Sequence, residues 1–260
     1  MSRIVLIGAG NLATHLGLAL KDAGHDVVQV FSRTMSSASE LAEKLQCPAT
    51  NELEQVARHA DIYILSVKDS ALATLIPALC PSRPQALFIH TAGSMPMNLF
   101  QGFAQHYGVL YPMQTFSKQK PLVFRTIPTF VEANNQQSLT QIQTLAESLT
   151  DTVYQLSTEQ RAHLHLAAVF ACNFANHCYH LAAQVLEKQG VPFSVMLPLI
   201  DETAKKVHQL HPRQAQTGPA IRNDQNVIAN HLALLKDNPD LQQLYLILSD
   251  HIQQTAEKHD

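Results

Sequence analysis

The sequence predicts a doubly wound α/β domain with a mostly parallel sheet, followed by an all-α domain. Short apolar runs alternate with segments of helical periodicity as far as residue 156, which is typical of parallel strands joined by right-handed crossovers. A glycine-rich turn separates the first apolar run from the first helical segment. After residue 157 nothing alternates at period two, and nearly every segment has helical spacing. We therefore predict one domain over 1–156 and a second over 157–260.

The individual elements follow from these periodicities and from Gly and Pro positions. Strands are predicted over residues 4–7, 27–31, 62–67, 86–89, 109–113, 129–132 and 152–155. Helices between them are predicted over residues 12–20, 37–45, 72–79 and 137–149. In the second domain, helices are predicted over 158–188, 194–211, 224–236 and 241–258. The first of these is expected to end at Gly190, with Pro192 beyond it.

The composition excludes several classes of protein. Of 260 residues, 46% are hydrophobic and 15% are charged, which is enough for a sizeable core and excludes intrinsic disorder. Eighteen Lys and Arg stand against 21 Asp and Glu without long like-charge runs, so nucleic acid is not an expected partner. Apolar runs such as 166–172 are shorter than the roughly 20 residues that cross a bilayer, so no membrane partner is expected. The four cysteines are too few and too irregularly spaced for a disulfide framework, which favours a reducing cytoplasm.

The turn Gly8-Ala9-Gly10-Asn11-Leu12-Ala13 matches the fingerprint of a dinucleotide-binding, or Rossmann, domain. Gly8 permits the tight turn, Gly10 lets a pyrophosphate approach the backbone, and Ala13 lets helix and strand pack closely. Free amide groups at the helix start can then bind the anion. A purely structural turn is the alternative, but strand, turn and helix fall in register here and favour a dinucleotide.

The end of the second strand favours NADP over NAD. An NAD enzyme places an acidic residue there to bind the ribose 2′-hydroxyl, whereas this chain has Ser32-Arg33-Thr34. A guanidinium flanked by two hydroxyl groups suits a 2′-phosphate. The alternative is an arginine solvated at a strand end. Later strand ends carry Ser66-Val67-Lys68-Asp69 and Thr91-Ala92-Gly93-Ser94, at the sheet edge where such domains bind ligands.

These motifs together resemble the amino-terminal domain of pyrroline-5-carboxylate reductase, ketopantoate reductase and the deazaflavin-dependent NADP oxidoreductases. The helical half, with its segment 216–224 and His231, resembles Rossmann-like NADP oxidoreductases with a 6-phosphogluconate-dehydrogenase-like carboxyl-terminal domain. The resemblance implies that Gly8, Gly10, Asn11 and Leu12 contact the pyrophosphate and that Ser32, Arg33 and Thr34 contact the 2′-phosphate. It also implies that Ser66 and Val67 contact the ribose region and that Thr91, Gly93 and Ser94 border the nicotinamide.

Catalytic candidates come from two departures from the related families. Tyr111 stands where prephenate dehydrogenases, which the sequence Tyr-Pro-Met resembles here, carry the His of His-Pro-Met. The 6-phosphogluconate-type enzymes carry Lys-x-x-x-Asn on the long helix, but this chain has no Lys between 157 and 187. The nearest candidates are His165 and Asn173, about 80° apart around an ideal helix. His165 would donate a proton to a carbonyl or imine, and Asn173 would orient it.

The long helix also carries a polar stripe. Residues 164–175 are apolar almost all round, which predicts burial, yet Asn173, Asn176, His177 and His180 fall on one helical face. The stripe lines a substrate pocket, with Asn176 as a contact, or forms a seam against the sheet or a second subunit. No carboxylate joins it, so no metal is predicted. Arg222 is a candidate for binding an anionic substrate group, while Asp224 is expected to favour the positive start of the following helix.

Two functions remain open at this point. The first is an NADP(H)-dependent oxidoreductase that transfers a hydride to or from a small substrate between the domains. The second is a non-catalytic NADP(H)-binding sensor or regulatory protein, which the missing Lys keeps in consideration. A helix of about 30 residues runs for roughly 45 Å, more than a small domain covers easily, so a homodimer through the helical domain is predicted. Intrachain packing is the alternative.

Overall fold

The chain forms one eight-stranded sheet, seen in a computed structural model that describes residues 1–257. The strands are β1 Arg3–Ile7, β2 Asp26–Phe31, β3 Ala49–Thr50, β4 Ile62–Leu65, β5 Leu87–His90, β6 His106–Pro112, β7 Thr129–Ala133 and β8 Val153–Gln155. Their order in the sheet is β3-β2-β1-β4-β5-β6-β7-β8. Neighbouring strands are parallel except for the β6 and β7 pair, which is antiparallel. The predicted doubly wound, mostly parallel sheet is confirmed.

Ten α-helices are present among the described residues, and short 3-10 turns connect some of them. The helices are α1 Asn11–Asp22, α2 Met35–Leu45, α3 Asp69–Leu79, α4 Gln136–Leu149, α5 Thr158–Ala168, α6 Ala175–Glu187, α7 Leu197–Lys206, α8 Pro212–Ala215, α9 Gln225–Leu234 and α10 Pro239–Glu257. A π-helical turn, Val169–Phe174, joins α5 to α6. The helical character predicted for the second half is therefore also confirmed.

The central strands are buried on both faces, as expected for a parallel sheet with helices on each side. Alternate residues of β1 enter two separate cores: Ile4 and Leu6 pack with α1, α2 and α4, whereas Val5 and Ile7 pack with α3. The strand order reverses at β1, which lies between β2 and β4. Ligands bind such sheets outside the carboxyl ends of the strands at this switch point. We therefore expect a ligand site at the loops after β1, β2, β4 and β5.

The long helix has the predicted extent but not a regular course. Ser157 and Gln160 form a capping box at its start, and the helix continues through the π turn to Glu187. The prediction of one helix over 194–211 is wrong, because α7 ends at Lys206 and α8 begins only at Pro212. Pro212 holds the preceding His211 in an extended conformation, which prevents a continuous helix through residue 211 and sets the start of α8. The last residue of the helix predicted over 241–258 lies outside the described residues.

Contacts divide the chain into two compact units, one over residues 1–177 and one from residue 178 onward. The first unit extends past residue 156 because α5 packs against it: Leu164 lies beside a small apolar cluster of Val109, Tyr111 and Phe130. The boundary at 156 between a cofactor-binding and a helical domain, inferred from the change of periodicity, stays a prediction. Among residues 1–257 no helix combines the length and the apolar character needed to cross a membrane.

The burial predicted for residues 164–175 is wrong. Leu166 is 55% exposed, Phe170 is 63% exposed and Phe174 is 51% exposed. An apolar surface all round a helix indicates that it packs against something, but it does not say that the partner belongs to the same chain. Large exposed apolar side chains close together in this way are typical of a surface that another protein covers.

Candidate active site

A cavity of about 980 Å³ lies at the carboxyl edge of the sheet. It is lined by the loops after β1, β2, β4 and β5 and by the start of α3. The predicted cofactor residues that line it are Gly8, Gly10, Asn11, Leu12, Ser32, Arg33, Thr34, Ser66, Val67, Thr91 and Gly93. Ser94 is the one predicted cofactor residue outside the lining, and its hydroxyl donates to the Asp69 carboxylate at 2.5 Å. Its contact with nicotinamide stays a prediction.

The glycine turn has the geometry of a phosphate cradle. Gly8 has a φ of +118°, and a Cβ there would lie 2.1 Å from the Ser66 carbonyl oxygen, so only glycine fits. Gly10 precedes the first residue of α1, and a Cβ there would meet nothing within 4 Å. No side chain caps α1 and no acidic residue lies in its first turn. The positive end of the helix is thus open to an anion, and the residues present fit a pyrophosphate.

The part of the cavity formed by the loop after β2 carries the residues predicted for a 2′-phosphate. Arg33 is exposed, and within residues 1–257 no carboxylate lies within salt-bridge distance of it. The Thr34 hydroxyl donates to the Ser37 hydroxyl at 2.9 Å, and Ser37 also lines the cavity. The sequence pattern did not single out Ser37. Its position in the first turn of α2, after the Ser-Arg-Thr segment, is the signal that points to it.

Tyr111 and His165, predicted separately as catalytic candidates, lie together against Gly93. The Tyr111 hydroxyl is 3.2 Å from His165 Nδ1, and the two rings meet edge to face. A Cβ on Gly93 would lie 2.7 Å from His165 Nδ1 and 2.8 Å from Tyr111 Cζ. The backbone of Gly93 therefore lies directly against both rings. Gly93 itself lines the cavity, so the two side chains lie behind the cavity wall at the end of β5.

This pair is suited to moving a proton. Burial raises the pKa of the Tyr111 phenol, while the Arg161 guanidinium opposes that rise and Cys172 adds to it. The phenol is therefore protonated at neutral pH and can donate to His165 Nδ1. In that arrangement His165 carries its own proton on Nε2, which is free to act as a donor.

The π turn changes the position of Asn173 relative to His165. A π turn adds about one residue to a helical turn, so the 80° separation expected for an ideal helix falls to about 20° or less. Asn173 and His165 thus lie on nearly the same face, two turns apart. No hydrogen bond joins them within residues 1–257, and both Asn173 and Asn176 are exposed. Their contacts with substrate stay predictions.

The segment around Arg222 contains two residues with positive φ. Gly218 has a φ of +113° and Asn223 a φ of +52°, and Arg222 between them is exposed. The Asp224 carboxylate accepts a hydrogen bond from the Val227 amide at 3.3 Å and caps α9. This is the role expected for Asp224. Arg222 as a substrate contact stays a prediction. Residues 1–257 contain no group of three side chains placed to bind a metal ion.

Arg161 is a buried residue of this region that the sequence pattern did not indicate. Its side chain is 1% exposed and forms an ion pair with Glu132 at 2.9 Å. The signal available in the sequence is its spacing, because Arg161 lies one helical turn before His165 and on the same face of α5. A charged residue on the face that carries a catalytic candidate is the pattern to look for.

Comparison with protein families gives two matches. Residues 3–93 match a family described as NADP oxidoreductase coenzyme F420-dependent. Residues 127–252 match a domain of unknown function, DUF2520. Comparison with functionally curated proteins gives no match.

Solved structures similar to this chain cover nearly its whole length. The "putative NADP oxidoreductase BF3122 from Bacteroides fragilis" is 54% identical, with a TM-score of 0.94 over 97% of this chain and 98% of that one. An imine reductase from Myxococcus stipitatus in complex with NADP+ is 14% identical, with a TM-score of 0.68 over 98% and 93%. A 1-pyrroline-5-carboxylate reductase from Streptococcus pyogenes is 18% identical, with a TM-score of 0.63 over 99% and 98%. The last two show a shared fold.

Proposed function

Since this chain belongs to the family that joins an NADP oxidoreductase domain of the coenzyme F420-dependent type to the DUF2520 domain, we propose that it reduces or oxidises a small substrate with NADP(H). The reacting group is a carbonyl or an imine, or the corresponding alcohol or amine. One observation carries the proposal: the Tyr111 and His165 pair lies against Gly93, at the edge of the cavity whose other residues fit NADP.

NADPH, when bound, supplies the hydride from its nicotinamide ring. The chain's own residues bind and orient the cofactor. The open start of α1 binds the pyrophosphate beside Gly10, and Arg33 with Thr34 and Ser32 binds the 2′-phosphate. The loop after β5 then faces the nicotinamide through Thr91 and Gly93. This assignment follows the order of the loops along the cavity.

His165 is the proposed proton donor. With Tyr111 donating to Nδ1, the proton on Nε2 passes to the substrate oxygen or nitrogen as the hydride arrives at the neighbouring carbon. Tyr111 selects this tautomer, and its own proton moves to Nδ1 as the Nε2 proton leaves, so that His165 stays neutral and solvent then reprotonates the tyrosinate. Asn173 lies on nearly the same face of the helix and orients the reacting group. Asn176 and Arg222 are the proposed contacts to the rest of the substrate.

A second copy of the chain is the proposed partner. The exposed Leu166, Phe170 and Phe174 supply apolar surface on the helical part, and we propose that a homodimer covers it. The four cysteines are unpaired, which agrees with the proposed location in the reducing cytoplasm.

The test is NADPH oxidation with a panel of small aldehydes, ketones and cyclic imines, together with NADPH binding by calorimetry. Turnover that Tyr111→Phe and His165→Gln both lower, without loss of NADPH binding, supports the proposal. Tight binding without turnover on any member of the panel favours a non-catalytic NADP(H) sensor, the alternative that the missing Lys of the long helix suggests. A protein that does not bind NADPH contradicts both functions.

A further inference from the structure

Arg161 binds three carbonyl groups of a single loop. One guanidinium nitrogen, Nη1, donates to the carbonyl oxygens of Ala92 at 2.9 Å, Gly93 at 2.9 Å and Met95 at 2.8 Å. These residues belong to the segment 91–95 that follows β5, here called the β5 loop. The Thr91 amide still donates to the Leu65 carbonyl of β4, but the carbonyls beyond it have no sheet partner, and a buried carbonyl without a partner is costly. A single side chain therefore satisfies much of the backbone of this loop.

The other end of the guanidinium is anchored to β7 and to the start of α5. Nη2 donates to Glu132 Oε2 at 2.9 Å and to the Thr158 hydroxyl at 3.4 Å. The Thr158 backbone amide donates to Glu132 Oε1 at 2.8 Å, and its hydroxyl also donates to the same carboxylate. The Glu132 carboxylate thus fixes the position of Arg161, and Arg161 fixes the β5 loop.

The β5 loop is the part of the cavity wall that touches the proposed proton donor. Thr91, Ala92 and Gly93 line the cavity, and Gly93 lies against the rings of Tyr111 and His165. His165 follows Arg161 by one turn of α5. The same helix therefore holds the cavity wall with one residue and presents the proton donor with the next on that face.

We propose that Arg161 is a positioning residue that sets the nicotinamide side of the cavity at a fixed distance from the Tyr111 and His165 pair. The inference rests on the proposed function, since it assumes that the nicotinamide lies at the β5 loop. It adds that Arg161 acts on the cofactor through the loop and does not touch it. Without Arg161 the carbonyls of Ala92, Gly93 and Met95 would turn toward water, and the wall at Gly93 would shift.

The test compares two probes that occupy different lengths of the cavity. Adenosine 2′,5′-bisphosphate reaches only the Arg33 end, whereas NADPH also reaches the β5 loop. The main variant is Arg161→Met combined with Glu132→Gln, because removing one member of a buried ion pair leaves the other charge unpaired. Its matched control is Arg125→Met with Asp151→Asn, which removes an exposed ion pair of the same compact unit.

The double variant at 161 and 132 should lose about tenfold or more in NADPH affinity, the factor that a small displacement of a fitted group costs, and keep the affinity for adenosine 2′,5′-bisphosphate within about twofold. The control should change neither. Arg161→Lys keeps a positive charge beside Glu132 but lacks the planar fork, so it should fall between wild type and the double variant. If the double variant does not fold, the affinities of Arg161→Lys for the two probes test the inference instead.

Equal losses for both probes, or no loss for either, would overturn the inference, because a purely structural Arg161 cannot distinguish the two ends of the cavity. A wild-type protein that binds adenosine 2′,5′-bisphosphate and NADPH equally well would also overturn it, since the β5 loop would then contribute nothing. A wild-type protein that binds neither probe contradicts the proposed function itself. The two failures are thus distinguishable.

Discussion

The phenol oxygen of Tyr111 lies 3.2 Å from Nδ1 of His165, although 54 residues separate the two in the chain. Tyr111 belongs to β6 and His165 to α5, and Gly93 of the β5 loop lies against both. Each residue alone is a weak indication of catalysis, since buried tyrosines and half-buried histidines are common. Their hydrogen bond beside the cavity provides a chain of two proton carriers, and this arrangement is what the proposed chemistry needs.

Substituting the two glycines of the phosphate turn should affect different properties, NADPH binding for Gly10 and stability for Gly8. Gly10→Ala adds a methyl group that meets nothing in the protein, so the free energy of unfolding should fall by about 1 kcal/mol or less. The same methyl group occupies the space of the pyrophosphate, so NADPH affinity should fall by about tenfold or more.

Gly8→Ala is the matched comparison. Its φ of +118° and the contact with the Ser66 carbonyl should destabilise the protein by about 2 kcal/mol or more. Thermal unfolding and calorimetry on both variants check the pair. If the Gly10→Ala protein binds NADPH with wild-type affinity, the pyrophosphate does not bind at this turn.

NADPH should bind more tightly than NADH, and Arg33 should account for most of the difference. A charged hydrogen bond to the 2′-phosphate contributes about 1.5–3 kcal/mol, so Arg33→Ala should remove most of the preference. Arg58→Ala is the control, because Arg58 is exposed and lies outside the cavity lining. Equal affinities of the wild-type protein for the two cofactors, measured by calorimetry, would contradict the assignment.

Much of the sheet and the cofactor cavity could be predicted from the sequence, because both depend on local pattern. Apolar runs mark buried strands, and the ends of parallel strands lie at one edge, so the residues after β1, β2, β4 and β5 were expected to meet. The two-residue strand β3 Ala49–Thr50 is too short to give a periodic signal.

The features that the sequence could not predict depend on tertiary contacts. The π turn at Val169–Phe174 lies in a segment without Gly or Pro, where the spacing looks like that of an ordinary helix. The bonds from Arg161 go to backbone carbonyls, which every residue has, so no side-chain pattern indicates them. Phe170 is exposed in the single chain, and its apolar character alone does not indicate whether its own chain or another protein covers it.

Stability should fall as the pH falls, with a measurable part due to His90. Burial, with the nearby charge of Arg161, lowers the pKa of His90 from 6.5 to about 3 in the folded protein. The unfolded chain takes up a proton below pH 6.5 and the folded protein does not. Acid therefore favours unfolding by about 1.4 kcal/mol per pH unit from about 6.5 down toward 3.

His90→Asn should remove most of this slope. Asparagine offers an acceptor in place of Nδ1, which accepts from the Ala92 amide at 3.2 Å, and it does not titrate. His59→Asn, at an exposed site, is the control. Urea unfolding between about pH 7 and pH 5 measures the slopes. An unchanged slope in His90→Asn would mean that other groups cause the acid sensitivity.

The helical part should hold two copies of the chain together. Light scattering at micromolar concentration should give the mass of a dimer, and Phe170→Asp should give a monomer, since it places a charge in the apolar surface around Leu166 and Phe174. Val123→Asp is the control, because Val123 is about as exposed as Phe170 but does not belong to the long helix. A monomeric wild-type protein would refute the dimer, and with it the intersubunit seam considered for Asn173, Asn176, His177 and His180.

Catalysis should depend on His165 far more than NADPH binding does. His165→Gln should lower turnover by about 10²–10⁴-fold, the usual range for general acid-base catalysis, and Asn173→Ala should also lower it. Tyr111→Phe should have a smaller effect, because His165 keeps its proton but loses the group that fixes its tautomer. Neither His165 nor Asn173 lines the phosphate cradle, so NADPH affinity should stay nearly unchanged.

His163→Gln is the matched control for this series. His163 lies two residues before His165 on the same helix, is exposed, and contacts the Glu159 carbonyl at 2.8 Å, so it should tolerate the change with full turnover. Melting curves recorded beside the kinetics separate catalysis from folding. If His165 only supports the structure, His165→Gln would lower the melting temperature and leave the folded fraction active. A stable and fully active His165→Gln protein would assign the role of proton donor to Tyr111, Ser94 or a group not yet identified.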